Sequence, residues 1–400
     1  MKQWIKIGLL SCATVASSQV SATNFSVDGR IDAMGGAGTA AADYLTGVFY
    51  NPALVAIYSR KDDAGLLLPS AGLQVMDQGG MVDDVDQVQK GFSKLANSDP
   101  SGAADIENGL RNLNGDALSF SMGAGMAVAI PNRYLSMAFY GKTSVEGITL
   151  PDVDALGLPT DPTKPLQLAD TTAVGTVALG LAEAGVAFAG YTNFLGQNIT
   201  IGVTPKIQSY LTYTYVEAVN NFDFKDFDKN KTTDNSFNVD VGAVWFYGPW
   251  RFAAAGKNLI KNEIETKEIT VNFKNSDPLV GGSYGKKTYK YNYELTPTYT
   301  AGVAFMTNYF IVTADLDLNE QERFVGLDDN VQMFRAGAEI DLLYQIQLRG
   351  GFKKDLAGTY DDAFTAGIGF SPLNMFHFDL AAIYSVDSTY GVSVNMAYEY

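Results

Sequence analysis

The sequence predicts an all-β protein: an antiparallel transmembrane β-barrel of about fourteen strands, with an N-terminal plug, or hatch, in its lumen and a helical first external loop. Three observations predict it. From residue 64 onward polar and apolar residues alternate with a period of two. The connections between these segments switch regularly between short and long, the pattern of barrels with tight periplasmic turns and longer external loops. Ahead of them, residues 28–56 form a compact, nearly uncharged stretch rich in Gly and Ala, with neither strand alternation nor a full helical stripe. Composition agrees. Only 18% of the 400 residues are charged, while 22 Tyr, 23 Phe and 40 Gly are present. Without long apolar runs, this suits an outer-membrane barrel better than the alternative, a soluble secreted β-protein.

Residues 1–22 read as a secretory signal. Lys2 and Lys6 supply the basic start, Ile7–Ala16 the apolar core, and Val20-Ser21-Ala22 the small-residue cleavage site before Thr23. The single cysteine, Cys12, lies within it, so the mature chain has no thiolate for a disulfide or a metal. Leu9-Leu10-Ser11-Cys12 has the outline of a lipoprotein box, but the apolar run before it is very short. Losing Lys2 and Lys6 takes the formal charge from −16 to −18. A chain this acidic is a poor partner for nucleic acid.

Residues 23–62 are the expected plug. Gly35, Gly36 and Gly38 allow positive φ or close backbone approach. Asn51-Pro52 marks a turn, and Pro52 can start a short helix through Ala53 to Ala56. Residues 63–400 are the expected barrel. Its strands read as 64–75, 117–130, 133–145, 173–192, 197–218, 235–247, 250–260, 293–307, 309–319, 331–341, 344–354, 361–371, 375–385 and 389–400. Short turns fall at Pro131-Asn132, Phe194–Gln197, Gly248-Pro249, Thr307-Asn308, Leu342-Leu343 and Leu373-Asn374. Long loops fall at 76–116, 146–172, 219–234 and 261–292.

The faces sort as lipid and lumen require. Phe376, Phe378, Leu380, Ala382 and Tyr384 share one face of their strand, against His377 and Asp379. Tyr344, Ile346, Leu348 and Phe352 oppose Gln345, Gln347, Arg349 and Lys353. Phe237, Val239, Val241, Ala243, Trp245 and Tyr247 oppose Asn238, Asp240 and Gly242. Two segments depart from the pattern. Within 83–114, Val85, Val88, Phe92 and Leu95 form one helical stripe and Ile106, Leu110 and Leu113 another, which predicts a helical hairpin in the first external loop. Residues 173–190 carry one charge, Glu183, and have the length of a membrane helix. Their four glycines are costly in a helix, so they read as a Gly-rich strand beside the plug. In the following hairpin the expected register sets Val186 against Val203 and Glu183 against Lys206.

Ala33-Met34-Gly35-Gly36-Ala37-Gly38, Asp43 and Asn51-Pro52-Ala53-Leu54 together resemble the N-terminal signature of the long-chain fatty-acid transporter (FadL) class of outer-membrane proteins. Ala42-Asp43-Tyr44-Leu45, Tyr50-Asn51-Pro52-Ala53-Leu54 and the run at 63–69 are a closer match to the group labelled conjugal transfer protein TraF. The resemblance implies a barrel whose N-terminal segment forms a hatch in the lumen. A thioredoxin-like conjugation protein shares the TraF label. With no Cys-x-x-Cys in this chain, that reading is excluded.

Other motifs fail their context. Gly36-Ala37-Gly38-Thr39-Ala40-Ala41 fits G-x-G-x-x-A, but a leader rather than a strand precedes it. Asp226-Phe227-Asp228-Lys229-Asn230 has the first spacings of a calcium loop but lacks Gly at 231 and Glu at 237, and reads as a solvated acidic loop. His377, the only histidine, builds no His-based zinc site. Asp315 and Asp317 read as lumen lining paired with Arg335, Arg349 and Lys353 rather than as an acid–base pair. No cofactor, metal site or enzyme is expected.

The expected function is passive uptake of a small hydrophobic solute past a shifting hatch. Gly35, Gly36, Gly38, Asn51, Pro52 and Ala53 are its hatch motif. Glu183, Lys206, Asp240, Asp315, Asp317, Arg335, Arg349, Lys353, His377 and Asp379 are its lumen charges. Expected partners are outer-membrane lipid and lipopolysaccharide, the barrel-assembly machinery (through a final strand ending Tyr398-Glu399-Tyr400) and a hydrophobic small molecule, with no direct nucleic-acid binding. The alternative from the resemblance is a structural or assembly role in a conjugal DNA-transfer apparatus.

Overall fold

Closing amphipathic strands on themselves leaves no unpaired edge and gives each strand a lipid face and a lumen face. The computed structural model describes residues 27–59, 61–158, 166–222, 230–275, 281–327, 329–342, 344–372, 375–385 and 389–400. The expected leader, Asp226–Lys229 of the acidic loop and the turn at Leu373-Asn374 lie outside the described residues.

The chain enters with a short helix, α1 (Gly29–Ala33), and two 3-10 turns, Gly47–Phe49 and Pro52–Ala56. The wall begins with β1 (Gly65–Gln78), β2 (Ala117–Ile130) and β3 (Ser136–Asp152). Next come β4 (Ala173–Phe194), β5 (Gln197–Ala218), β6 (Lys231–Tyr247) and β7 (Trp250–Lys257). Four shorter strands leave the wall: β8 (Asn262–Ile264), β9 (Ile269–Lys274), β10 (Ser283–Tyr289) and β11 (Tyr293–Leu295). The wall resumes with β12 (Thr298–Met306), β13 (Phe310–Asp317), β14 (Met333–Leu342) and β15 (Ile346–Asp355). It ends with β16 (Ala363–Phe370), β17 (Phe376–Tyr384) and β18 (Thr389–Glu399). Fourteen strands form one closed antiparallel barrel: neighbours in sequence pair, β7 pairs with β12, and β1 pairs with β18 to seal the wall. The β1 ladder skips between Leu67 and Ser70. Pro69 sits in that gap and has no N–H to donate.

The outward faces are the expected ones. Phe376, Phe378, Leu380, Tyr384, Ile346, Leu348, Phe237 and Trp245 are exposed on the isolated chain, while Arg349, Asp379, Asn238 and Asp240 are buried. Near the tight-turn end, aromatic side chains pack in a belt, with Trp245–Phe252 at 5.2 Å, Trp250–Phe305 at 4.9 Å and Phe376–Tyr398 at 5.0 Å between ring centroids. Such girdles mark a membrane–water boundary. No helix among the described residues is long and apolar enough to cross a membrane; the chain crosses with strands, and 173–190 belongs to β4.

At the long-connection end, α2 (Met81–Ala96) and α3 (Ser101–Asn112) form a hairpin between β1 and β2. Val88, Ile106, Leu110 and Leu113 are buried in it with Ala169 and Val174. The helices approach so closely that a Cβ on Gly102 would stand 2.4 Å from the Gly91 carbonyl. A five-residue helix, α4 (Gln167–Thr171), precedes β4.

Three sequence expectations need correction. The stretch 261–292, read as loop, contains β8–β10 and helps form two small two-stranded sheets, β9–β10 and β8–β11. The strand read as 293–307 is two, because Pro297 stands between β11 and β12 and cannot donate to a ladder. The β4–β5 register is displaced by two residues: Phe188 faces Val203, and Glu183 faces Gln208 instead of Lys206. A two-residue shift keeps every side chain on its expected face.

Candidate functional site: the filled barrel interior

The barrel is filled by its own N-terminal segment. Asp28 caps α1, its Oδ1 accepting from the Arg30 N–H at 3.0 Å and the Ile31 N–H at 3.4 Å. The helix then ends on Gly35 and Gly36, with φ of +72° and +85°, which L side chains rarely adopt. This corner lies on two glycines directly paired across β14 and β15, Gly337 and Gly351. A Cβ on Gly337 would stand 2.3 Å from the Met34 carbonyl, and one on Gly351 2.2 Å from the Gly35 nitrogen. One wall hydroxyl bridges the turn: Thr365 Oγ1 donates to the Ala33 carbonyl and accepts from the Gly35 N–H, both at 2.9 Å.

Gly38 has no positive φ; its role is space, because a Cβ there would meet the Tyr50 ring at 2.7 Å. The next attachment is on β13, where Thr39 N–H donates to Asp315 Oδ2 at 2.8 Å and Thr313 Oγ1 donates to the Ala37 carbonyl at 3.3 Å. Asn51 makes the third. Its Oδ1 accepts from the Ala53 N–H at 3.0 Å and caps the turn that Pro52 begins. Its Nδ2 donates to the Thr39 carbonyl at 3.1 Å and the Ala243 carbonyl on β6 at 3.3 Å. Here too the wall offers directly paired glycines, Gly202 of β5 and Gly242 of β6. A Cβ on Gly202 would stand 2.4 Å from the Pro52 carbonyl carbon, and one on Gly242 1.8 Å from Asn51 Oδ1. Between the attachments Ile31, Met34, Leu45, Ala53 and Leu54 are wholly buried, packed partly on small wall residues such as Ala253 and Ala304. Each large apolar side chain contributes about 1.5–3 kcal/mol.

The lumen charges pair differently from the sequence expectation. Asp315 is opposite Arg335 in register, yet Arg335 reaches diagonally to Asp317 in a two-pronged contact, both bonds 3.0 Å. That leaves Asp315 for the Thr39 N–H. Arg349 binds Glu339 at 2.6 Å and Asp379 at 2.5 Å rather than Asp315 or Asp317. Lys353 donates to Gln74 at 2.8 Å. Lys206 sits between Glu183 at 3.2 Å and Asp240 at 2.9 Å, so the anticipated pair exists as a diagonal contact within a triad. His377 lies beside Ser371, at 2.9 Å, and Glu399, at 3.4 Å.

Several residues of the interior escaped the sequence reading. Arg30 joins the segment to the wall through Glu339 at 2.9 Å and approaches Asp43 at 3.6 Å. Glu339 had a signal, since it shares its strand face with Arg335; Arg30 had none, because ion pairs across a fold leave no periodic trace. Glu146 of β3 also went unread. It accepts from Tyr293 Oη at 2.9 Å and pairs with Arg323 at 3.2 Å, tying two long connections across the mouth. Arg323 Nε also donates to the Asp329 carbonyl at 3.0 Å. Burial pushes the Asp329 carboxyl up to about 6, against the pull of Arg323. Between mouth and segment lies a cavity of about 140 Å³, reached by Lys142, Lys257 and Lys353 among others.

Comparison with known proteins follows this architecture. A model of the family described as "F plasmid transfer operon, TraF, protein" matches residues 48–317. No curated protein matches the chain. The Ralstonia pickettii toluene transporter TbuX is similar in structure with a TM-score of 0.51 and 13% identity, over 92% of this chain and 96% of that one. A deltaS2S3 mutant of the monoaromatic hydrocarbon channel TodX gives 0.50 and 9% identity, over 89% and 93%. At these identities the likeness is one of fold alone.

Proposed function

We propose that this chain, which belongs to the family described as "F plasmid transfer operon, TraF, protein", is an outer-membrane channel for passive uptake of a small hydrophobic solute, with residues 23–62 acting as its hatch. One observation carries the reading: a segment held inside a closed barrel by local hydrogen bonds, close-packed turns, the Arg30 ion pairs and apolar packing, with a cavity just beyond it. Such an attachment can release and re-form without unpairing the wall. The fold shared with a toluene transporter and a monoaromatic hydrocarbon channel supports the solute class.

In this reading a signal peptide, 1–22, is removed on export and the tight turns face the periplasm. The exposed strand faces and aromatic belt meet lipid, and lipopolysaccharide surrounds the outer rim. The C-terminal strand serves the barrel-assembly machinery. Solute collects among the apolar residues of the long connections, enters past Glu146 into the cavity, and leaves when the segment shifts off its glycine seats. The test is toluene uptake into proteoliposomes. Uptake above empty vesicles is expected from the full chain, and faster uptake from a chain lacking residues 23–62. Neither protein admitting toluene would overturn the reading. The family description favours a second role, in a conjugal DNA-transfer apparatus. Lowered transfer frequency after deletion of the gene is its expected signature, and unchanged transfer would remove it.

A further inference from the structure

The cavity between mouth and segment is lined by five basic residues, Lys142, Lys257, Arg323, Arg335 and Lys353, and four acidic ones. The whole chain, by contrast, has 28 basic and 44 acidic residues. Arg323 is held by Glu146 and Arg335 by Asp317. The three lysines make no such pair: among the described residues none has a carboxylate oxygen within ion-pair distance. Lys257 donates to the Phe49 carbonyl and lies 5.6 Å from the centre of the Tyr50 ring. Lys353 has the Gln74 amide. Lys142 is only 7% exposed, and no hydrogen bond to its ammonium is found among the described residues. Glu183, opposite Lys142 across the ladder, is bound to Lys206 and Gln208. Lys142 and Lys257 line the same cavity. Glu183, Asp240 and Asp32 stand near enough to offset these charges in part, but a buried ammonium with no directly paired carboxylate is still costly, and here two share one cavity wall.

We infer that this cavity binds a small organic solute through a carboxylate- or phosphate-type oxyanion, held between Lys142 and Lys257. The inference rests on the channel reading and deepens it by giving the solute a charged group. Size limits the rest of the molecule. A volume of about 140 Å³ is close to the engineered cavity of ~150 Å³ that takes one benzene. The ligand therefore has one ring or a short chain, its body against Phe49, Tyr50 and Phe120.

The test is calorimetric binding to the purified full chain in detergent, with benzoate, inorganic phosphate and the neutral benzyl alcohol as probes. Benzoate is expected to bind at least tenfold more tightly than benzyl alcohol, and more weakly as salt rises. Lys142→Met and Lys257→Met should each weaken benzoate about tenfold, with Lys142→Arg retaining most of the affinity. Phosphate matching benzoate would assign the site to the oxyanion alone, and benzoate binding without phosphate would assign it to aromatic carboxylates. Equal binding of benzoate and benzyl alcohol, or full benzoate affinity in both methionine variants, would overturn the inference. Circular dichroism and the heat-dependent gel shift of a closed barrel show that each variant is folded. Binding is read without flux. Lack of toluene uptake thus removes the channel reading alone, and lack of benzoate binding beside normal toluene uptake removes only the anion site.

Discussion

Asn51 joins three pieces of backbone. Its Oδ1 caps the Pro52 turn through the Ala53 N–H, and its Nδ2 reaches the Thr39 carbonyl and the Ala243 carbonyl of the wall. Leucine has the volume but none of these bonds. Asn51→Leu therefore leaves buried groups unsatisfied, at about 1–3 kcal/mol for each, and the turn should lift off β5 and β6. Gly242→Ala approaches the same contact from the wall, placing a Cβ 1.8 Å from Asn51 Oδ1. Both variants are expected to show larger single-channel conductance in planar bilayers and greater antibiotic sensitivity of the host. Wild-type conductance in both would mean that this turn does not hold the segment. The motif Asn51-Pro52-Ala53 was legible as a turn because Asn capping and Pro at the first position are local chemistry. Its glycine seats were not. Gly202 and Gly242 lie 40 positions apart in a chain with 40 glycines, and only the β5–β6 register brings them together.

At the level of elements, strand faces were readable and partners were not. Face follows from a period of two; register follows from turn geometry. The β4–β5 hairpin closes through Leu195 and Gly196, both at positive φ, +52° and +75°, so Phe194 pairs with Gln197 and every later pair follows. Leucine is a poor residue for such a turn, so the sequence marks its place only weakly. The helical hairpin was legible from its two apolar stripes, but the acid beneath it was not. Asp116, between α3 and β2, is 7% exposed, and its Oδ2 has no hydrogen-bond partner among the described residues. Burial, followed by the charges of Asp84 on α2 and Asp77 on β1, pushes its carboxyl up to about 6 from 3.8. Between these values the folded chain holds a proton that the unfolded chain has lost, so stability rises as pH falls from about 6 toward 4. Amide exchange across 81–112, corrected for intrinsic rate, should be severalfold slower at pH 5 than at pH 7, and Asp116→Asn should abolish the difference. Equal protection at both pH values in the parent chain would contradict this.

For the whole molecule, the proposed channel function raises the question of whether solute passes because the segment moves or by going around it. The segment follows the inner wall through several attachments: α1 and its glycine corner on β14–β17, Thr39 on β13, and the Asn51 turn on β5 and β6. Release at one point leaves the others in place, so a gap can open without the segment leaving the lumen. A covalent tie at the middle attachment separates the two routes. A Cβ on Gly302 of β12 would stand 3.0 Å from Thr39 Cβ, slightly inside the roughly 3.5–4.5 Å of a disulfide. The same Cβ would stand 2.4 Å from Asp315 Oδ1, so Thr39→Cys with Gly302→Cys needs that carboxylate to swing aside as well as a small relaxation of the segment. The only native cysteine is Cys12, inside the expected leader, and Cys12→Ser in the same background removes any competing thiol. If the hatch must shift, oxidation of the double variant lowers toluene uptake into proteoliposomes to that of empty vesicles, and a reductant restores it. Each single variant should ignore the oxidant. Undiminished uptake with the bridge closed would mean that the segment stays still and that the solute threads the polar gap between it and the wall.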